Sequence, residues 1–339
     1  MRFMLQAVAL VLGSLAGVVS ESAGQSPASA PDSSRIAPPA AAAPAATGAV
    51  PPSSPKVVGY VQARETWQEH IGLTATLNRA RVGAEGTLPQ SFSYRVMVEF
   101  AAATAGVQAT STSLRDAYIR WSHAPYSIWA GQFKTPFSRE YVTSITAIET
   151  ADRSTVVDSL ATKRDIGVMG DLAIGPYANL AVGVFNGEGQ NVSRNRDSTV
   201  LVVSRAIARP LPQLTVGGSF ASYGSDSLRW GAEAQVEQSG WVLRGEYIAQ
   251  HRAHIDRDDY GWYALGAWRA LGWLQLVAKQ EDFQRPYIGD SRRMRGTTVG
   301  TNVDFPGGRT RAAVDWVVRK NGVALQRRDQ VIAQLQVKF

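Results

Sequence analysis

The chain contains no cysteine. That excludes disulfides, thiolate metal ligands and thiol nucleophiles, so an exported protein of this size must be held by packing and hydrogen bonds alone. Histidine is scarce: there are four, His70, His123, His251 and His254. His251 and His254 stand near Asp256, Asp258 and Asp259, a pattern that suits a divalent ion. It reads better as a solvated outer loop, because no further ligands follow at metal spacing. No glycine-rich phosphate loop opens a helix, so no cofactor and no metal are expected. Beyond the first twenty residues no apolar run reaches the roughly 18 residues of a membrane helix. If this chain crosses a membrane, it does so with strands. The formal charge of +7 is dispersed, with no long basic run. Nucleic-acid binders gather such charge on one face or tail, so nucleic acid is not an expected partner. A dispersed surplus suits the attraction of anions along a path.

What is present begins with Met1 and Arg2, an apolar run from Phe3 to about Val19, and small residues after it. Residues 1–24 read as a cleaved secretory signal peptide. The alternative, one amino-terminal anchor helix, lacks a stop-transfer flank. Residues 25–55 are rich in Ala, Pro and Ser and almost free of charge. Such a segment buries too little apolar surface to offset its chain entropy and reads as a disordered periplasmic spacer.

From residue 56 to 339 the pattern has a period of two. Val331, Ala333, Leu335, Val337 and Phe339 share one face, against Gln334, Gln336 and Lys338. Phe92, Tyr94, Val96, Val98 and Phe100 oppose Ser93, Arg95 and Glu99, and Ala312, Val314, Trp316 and Val318 oppose Arg311, Asp315 and Arg319. In a soluble sandwich the apolar face would be the buried one. In a membrane barrel it meets lipid, and the charged face lines a wet interior. The barrel is favoured by strand-end aromatics (Trp121, Tyr126, Trp129, Trp241, Trp262, Tyr263, Trp268, Trp273), by segments of about ten residues, and by connections that alternate short and long. Tight turns are expected at 88–90, 123–125, 175–176, 210–213, 239–240, 271–272 and 306–308. Longer connections are expected near 66–72, 103–111, 134–164, 187–198, 223–227, 251–258, 284–294 and 320–327. The count predicts an all-β, transmembrane antiparallel barrel of about 16 strands, wide enough for an aqueous channel, in the bacterial outer membrane and in contact with its lipid. The third long connection, 134–164, is the position from which a loop folds inward to narrow the lumen.

Several stretches carry a family resemblance: Asn78-Arg79-Ala80-Arg81-Val82 with Glu85-Gly86, Leu114 to Trp121 (LRDAYIRW), Gly131 to Glu140 (GQFKTPFSRE), Asp152-Arg153-Ser154, Arg164 to Val168 (RDIGV) and Gly183 to Gly187 (GVFNG). The chain resembles the phosphate-selective porin O and P family, most specifically in GQFKTPFSRE. The resemblance implies a trimeric outer-membrane channel of sixteen strands that passes small anions, with phosphate or polyphosphate as candidate solutes.

Strand parity places Arg79, Arg81, Glu85, Arg95, Glu99, Asp116, Arg120, Gln132, Arg205, Arg209 and Arg244 on the inner face. The anion-path candidates are Arg79, Arg81, Arg95, Arg120, Arg205 and Arg244, joined by Lys134, Arg139, Arg153 and Arg164 where the long loop meets the wall. Arginine suits the task because its planar fork pairs oxyanions and stays charged. The same residues can equally pair with Asp116, Glu140, Asp152, Asp158 and Asp165 to hold the loop. Two other classes are open. A hydrolase needs a Ser–His–acid set, and no histidine falls in a strand beside an inward serine. A structural or non-selective barrel, with its spacer docked on a periplasmic partner or the cell wall, is the remaining alternative.

Overall fold

The computed structural model describes residues 53–100, 112–253, 256–287, 290–321 and 326–339. The expected signal peptide and nearly all of the expected spacer lie outside the described residues, as do residues 101–111 of the second long connection and His254.

Sixteen strands follow in order. The first four are β1 (Lys56–Gln68), β2 (Gly72–Leu88), β3 (Phe92–Glu99) and β4 (Ser113–His123). Next come β5 (Tyr126–Lys134), β6 (Arg164–Ile174), β7 (Ala178–Phe185) and β8 (Leu201–Leu211). Then β9 (Leu214–Tyr223), β10 (Ser227–Gln238), β11 (Trp241–Arg252) and β12 (Arg257–Leu271). The last are β13 (Leu274–Tyr287), β14 (Asp290–Asp304), β15 (Thr310–Asn321) and β16 (Gln326–Lys338). Each pairs antiparallel with its sequence neighbours, and β1 closes on β16 from Tyr60↔Lys338 to Gln68↔Gln330. The terminal residue helps to seal the closure. Gly59 and Phe339 exchange backbone hydrogen bonds of 2.9 and 3.0 Å, and a Cβ on Gly59 would lie 2.6 Å from the Phe339 ring.

The wall is inside-out relative to a soluble protein, as closure in lipid requires. Val61, Val96, Ile119, Ile128, Val168 and Val182 are exposed on the outside, whereas Gln62, Gln275, Asn302 and Asp315 are buried. The seven expected tight turns all fall between strands. Five outer connections expected to be long are shorter, those between β1 and β2, β9 and β10, β11 and β12, β13 and β14, and β15 and β16. The ends of β11–β14 are polar on both faces, so alternation fades there while the hydrogen-bond ladder continues. Two aromatics expected at the membrane interface point inward instead. Trp129 lies on the opposite face to exposed Ile128, and buried Tyr263 donates to Glu246 at 2.8 Å.

Candidate functional site

The site starts where one hairpin leaves the wall. β5 pairs with β4 only as far as Ala117↔Gln132, yet its ladder with β6 continues to Lys134↔Arg164. The break comes at Gly131, whose φ is +122°, and where a Cβ would lie 2.2 Å from the Ala117 carbonyl oxygen. Only glycine tolerates both conditions. Beyond it, Lys134 and Arg164 keep the parity of the lipid-facing Ala130 and Val168 but sit within the barrel. Arg164 forks onto Asp116 (2.9 and 3.3 Å). Lys134 donates to the carbonyls of Tyr141, Val142 and Thr143 (2.8–3.1 Å). Gln132, expected on the lumen, instead closes the seam: it donates to the Leu114 carbonyl at 2.8 Å and accepts from Asn191 N–H at 2.7 Å.

Residues 135–163 then cross the interior with two short helices, α1 (Arg139–Val142) and α2 (Thr155–Leu160). Their apolar side chains Phe137, Val156, Val157 and Leu160 are fully buried in one cluster with Phe133, Phe185, Leu201, Val203, Ile248, Tyr263 and Phe283. The loop's polar backbone is met by acids from the wall. Glu246 of β11 accepts from Ser138 Oγ (2.6 Å), Arg139 N–H (3.2 Å) and Glu140 N–H (2.6 Å), besides Tyr263. Glu281 of β13 accepts from Thr155 N–H and Oγ at 2.7 and 2.9 Å, which caps α2. Asp315 of β15 accepts from Ala151 N–H at 2.7 Å, and Arg64 of β1 forks onto Asp152. Within the loop, Glu140 accepts from Ser154 N–H (2.8 Å) and Oγ (3.1 Å). Burial pushes the Glu140 carboxyl up to about 7, against the pull of Lys279 and with the help of Glu246.

Among the described residues, the side-chain bonds between residues 135–163 and the wall run to β1, β5, β6, β9–β11 and β13–β16, and none runs to β2, β3 or β4. The inner faces of β2, β3 and β4 are thus free of that loop's hydrogen bonds; Arg95 and Glu85 stay partly exposed there, while Arg81 and Glu99 are closely covered. There Arg81 pairs with Glu99 (3.1 Å) and Arg95 with Glu85 (3.0 Å). Arg79 donates to the Gln62 amide oxygen at 2.9 Å and lies beside the Asn78 amide. Arg120 donates to Ser127 Oγ (3.2 Å) and lies over the Trp129 ring, 4.7 Å from its centre. Among the described residues neither Arg79 nor Arg120 has a carboxylate partner. The other candidates sit elsewhere. Arg205 forks onto buried Glu233, and Arg244 pairs with buried Glu149. Arg139, at the start of α1, is buried, and one of its guanidinium nitrogens has no hydrogen-bond partner. Arg153 donates to the carbonyls of Glu140 (3.2 Å) and Thr143 (3.1 Å), with its guanidinium over Tyr141. The parity argument could not find Glu246, Glu281 and Asp315 as loop anchors, because an inward acid reads the same whether it meets water or a backbone N–H. Among the described residues no cluster of His, Asp and Glu is placed to hold a metal.

A closed barrel with an apolar outside, a polar interior and a loop folded across the lumen is a porin of the bacterial outer membrane. The fold is similar to that of OmpT of Vibrio cholerae in its trimer form, with a TM-score of 0.63 and 10% identity over 84% of this chain and 99% of that one. It is also similar to the outer membrane channel DcaP of Acinetobacter baumannii (TM-score 0.62, 12% identity, 84% and 97% covered) and to an anion-selective porin from Comamonas acidovorans (0.61, 13%, 84% and 99%). No curated protein matches the sequence. The resemblance read from the motifs is borne out: residues 65–212, from the end of β1 through β8, match the family phosphate-selective porin O and P.

Proposed function

We propose that this porin is a passive, anion-preferring diffusion channel, rather than an enzyme, and that small oxyanions including phosphate are among its solutes. The observation that carries this reading is the arginine face of β2, β3 and β4. It receives no side-chain hydrogen bond from residues 135–163, and two of its guanidinium groups, Arg79 and Arg120, form no ion pair with a carboxylate among the described residues. Charges fixed beside a narrow, low-dielectric-walled passage set the sign of the ions that enter. Arg81, paired with Glu99, and Arg95, set between Glu85 and Asp116, would add donors more than net charge. Lys134, Arg164, Arg205 and Arg244 would hold the loop and wall, Arg153 would tie the loop together, and the buried Arg139 is left without an ion-pair partner among the described residues. The test is flux into proteoliposomes. Chloride and phosphate should enter faster than cations of matched size, and equal rates for both signs would overturn the proposal.

We also infer a homotrimer, supported by the trimer form of the Vibrio cholerae relative and by the family. Light scattering of the detergent-solubilised protein tests this; a mass of one chain would contradict it.

A further inference from the structure

The outer wall carries one patch that breaks the lipid-facing pattern. On β13 the outward positions begin apolar, Leu274, Leu276 and Ala278, and then become Gln280, Asp282 and Gln284. The neighbouring outward positions on β14 are Thr297, Arg295 and Arg293, and on β15 Trp316 is followed by Val318 and Lys320. Register puts them side by side: Asp282 opposite Arg295, and Arg295 opposite Lys320. Arg293 forks onto Asp282 (2.7–3.1 Å), and Arg295 Nε reaches the same carboxylate at 3.0 Å. The two arginine side chains remain 41% and 44% exposed, and Lys320 is exposed. Two arginines thus share one acid, with Lys320 opposite Arg295 on the next strand, and these positions of β13–β15 keep an excess of positive charge on a face where an unpaired charge deep in hydrocarbon would be costly.

Its height explains how it is tolerated. The ends of β13 and β15 and the start of β14 lie away from the rim that carries the short turns, so they are at the external side. Asp282 is eight residues above Leu274, roughly 20 Å along the barrel axis for a strand tilted by about 40°. An apolar band of about 25 Å puts this row close to its outer border. The aromatics agree: Trp262 of β12 is directly opposite Asp282, and Tyr247 of β11 is opposite Trp262 and packs on Trp230, with centroids 5.1 Å apart. Around β10–β12 this level is an aromatic girdle; across β14 and β15 it becomes cationic. Arginine and lysine at headgroup height beside Trp and Tyr form a site for the phosphates of a lipid headgroup.

We propose that Arg293, Arg295 and Lys320 form a binding site for an anionic, phosphorylated lipid headgroup of the outer leaflet. The Asp282 carboxylate holds the two guanidinium groups in place, and Trp262 and Trp316 flank the acyl chains. This site faces lipid and is separate from the permeation path. The experiment compares the purified, refolded wild type with a triple variant, Arg293→Gln, Arg295→Gln and Lys320→Gln, in neutral-detergent micelles doped with bis-phosphorylated lipid A. Native mass spectrometry counts bound lipid, and single-channel conductance verifies that the barrel is intact. Wild type should retain lipid A, and each cation removed should weaken retention about fivefold, with conductance unchanged. Dephosphorylated lipid A should be retained weakly by both proteins, and inorganic phosphate should not displace the lipid at millimolar concentration. Equal retention by wild type and variant, or equal retention of the dephosphorylated lipid, would overturn the site. So would loss of the oligomer in the variant without lipid, which would assign the patch to a second copy of the chain.

Discussion

Arg79 and Arg205 are both inward arginines on the same wall, and their surroundings give them opposite roles. Arg205 forks onto Glu233, and both are buried. Removing the guanidinium would strand a buried carboxylate, which costs about 3–5 kcal/mol. Arg79 donates to the Gln62 amide, and Asp152, whose charge reaches it, is already held by Arg64, so Arg79→Gln removes field without stranding a charge. Arg205→Gln is therefore expected to lower the unfolding midpoint in urea clearly, and Arg79→Gln to leave it within experimental scatter. Equal shifts in the two variants would contradict this division. Glu140 supplies a pH dependence. Its carboxyl is pushed up to about 7 from an ordinary 4.5, chiefly by burial. The folded form therefore holds the proton more tightly than the unfolded chain between about pH 4.5 and 7. Stability from this group is fully present at and below pH 4.5 and is lost as pH rises through 7, by roughly 3 kcal/mol in all. Glu140→Gln should be more stable than wild type at pH 8, level with it near pH 5, and flatter between. An unchanged slope in the variant would exclude Glu140 as the source.

At the scale of the element, the loop is a built part of the wall. Glu246 accepts from Ser138 Oγ, two loop N–H groups and the Tyr263 hydroxyl. Glu246→Ala leaves those buried donors without an acceptor, at about 1–3 kcal/mol for each one stranded. The loop should detach from β11, and the single-channel conductance should rise and become noisy; a quiet, wild-type conductance would show that the apolar cluster around Phe137 holds the loop alone. Gly131 is the second control point. Gly131→Val adds a side chain where φ is +122° and Ala117 O stands 2.2 Å away. The hairpin end could then no longer turn inward, and refolding yield should fall sharply. Most of this element was readable in the residues: its length, its place as the third long connection and the basic residues at its ends. The inward set of Lys134 and Arg164 was not, because parity assumes an unbroken strand and Gly131 breaks it. Trp129 misled for a related reason, since an aromatic near a turn suits the interface and the lumen equally well.

For the whole molecule, period-two alternation carried the reading of class and strand number. Lipid outside and water inside force opposite chemistry onto successive residues, and that contrast survives in the sequence from Lys56 onward. It fails where both faces meet water, which is why β11–β14 run further outward than the pattern implied. It is also silent on which inward charges pair with one another, because pairing across β2–β3 or β8–β10 depends on register and on the loop. The central claim is that the arginine face left open by the loop sets the sign of the current. The most direct measurement is the reversal potential of single channels in a tenfold potassium chloride gradient, for wild type and for Arg79→Gln/Arg120→Gln. Wild type should reverse on the chloride side of zero, and the double variant should move towards zero with the barrel still conducting. A cation-side potential in wild type, or the same anion-side potential in both proteins, would contradict the account.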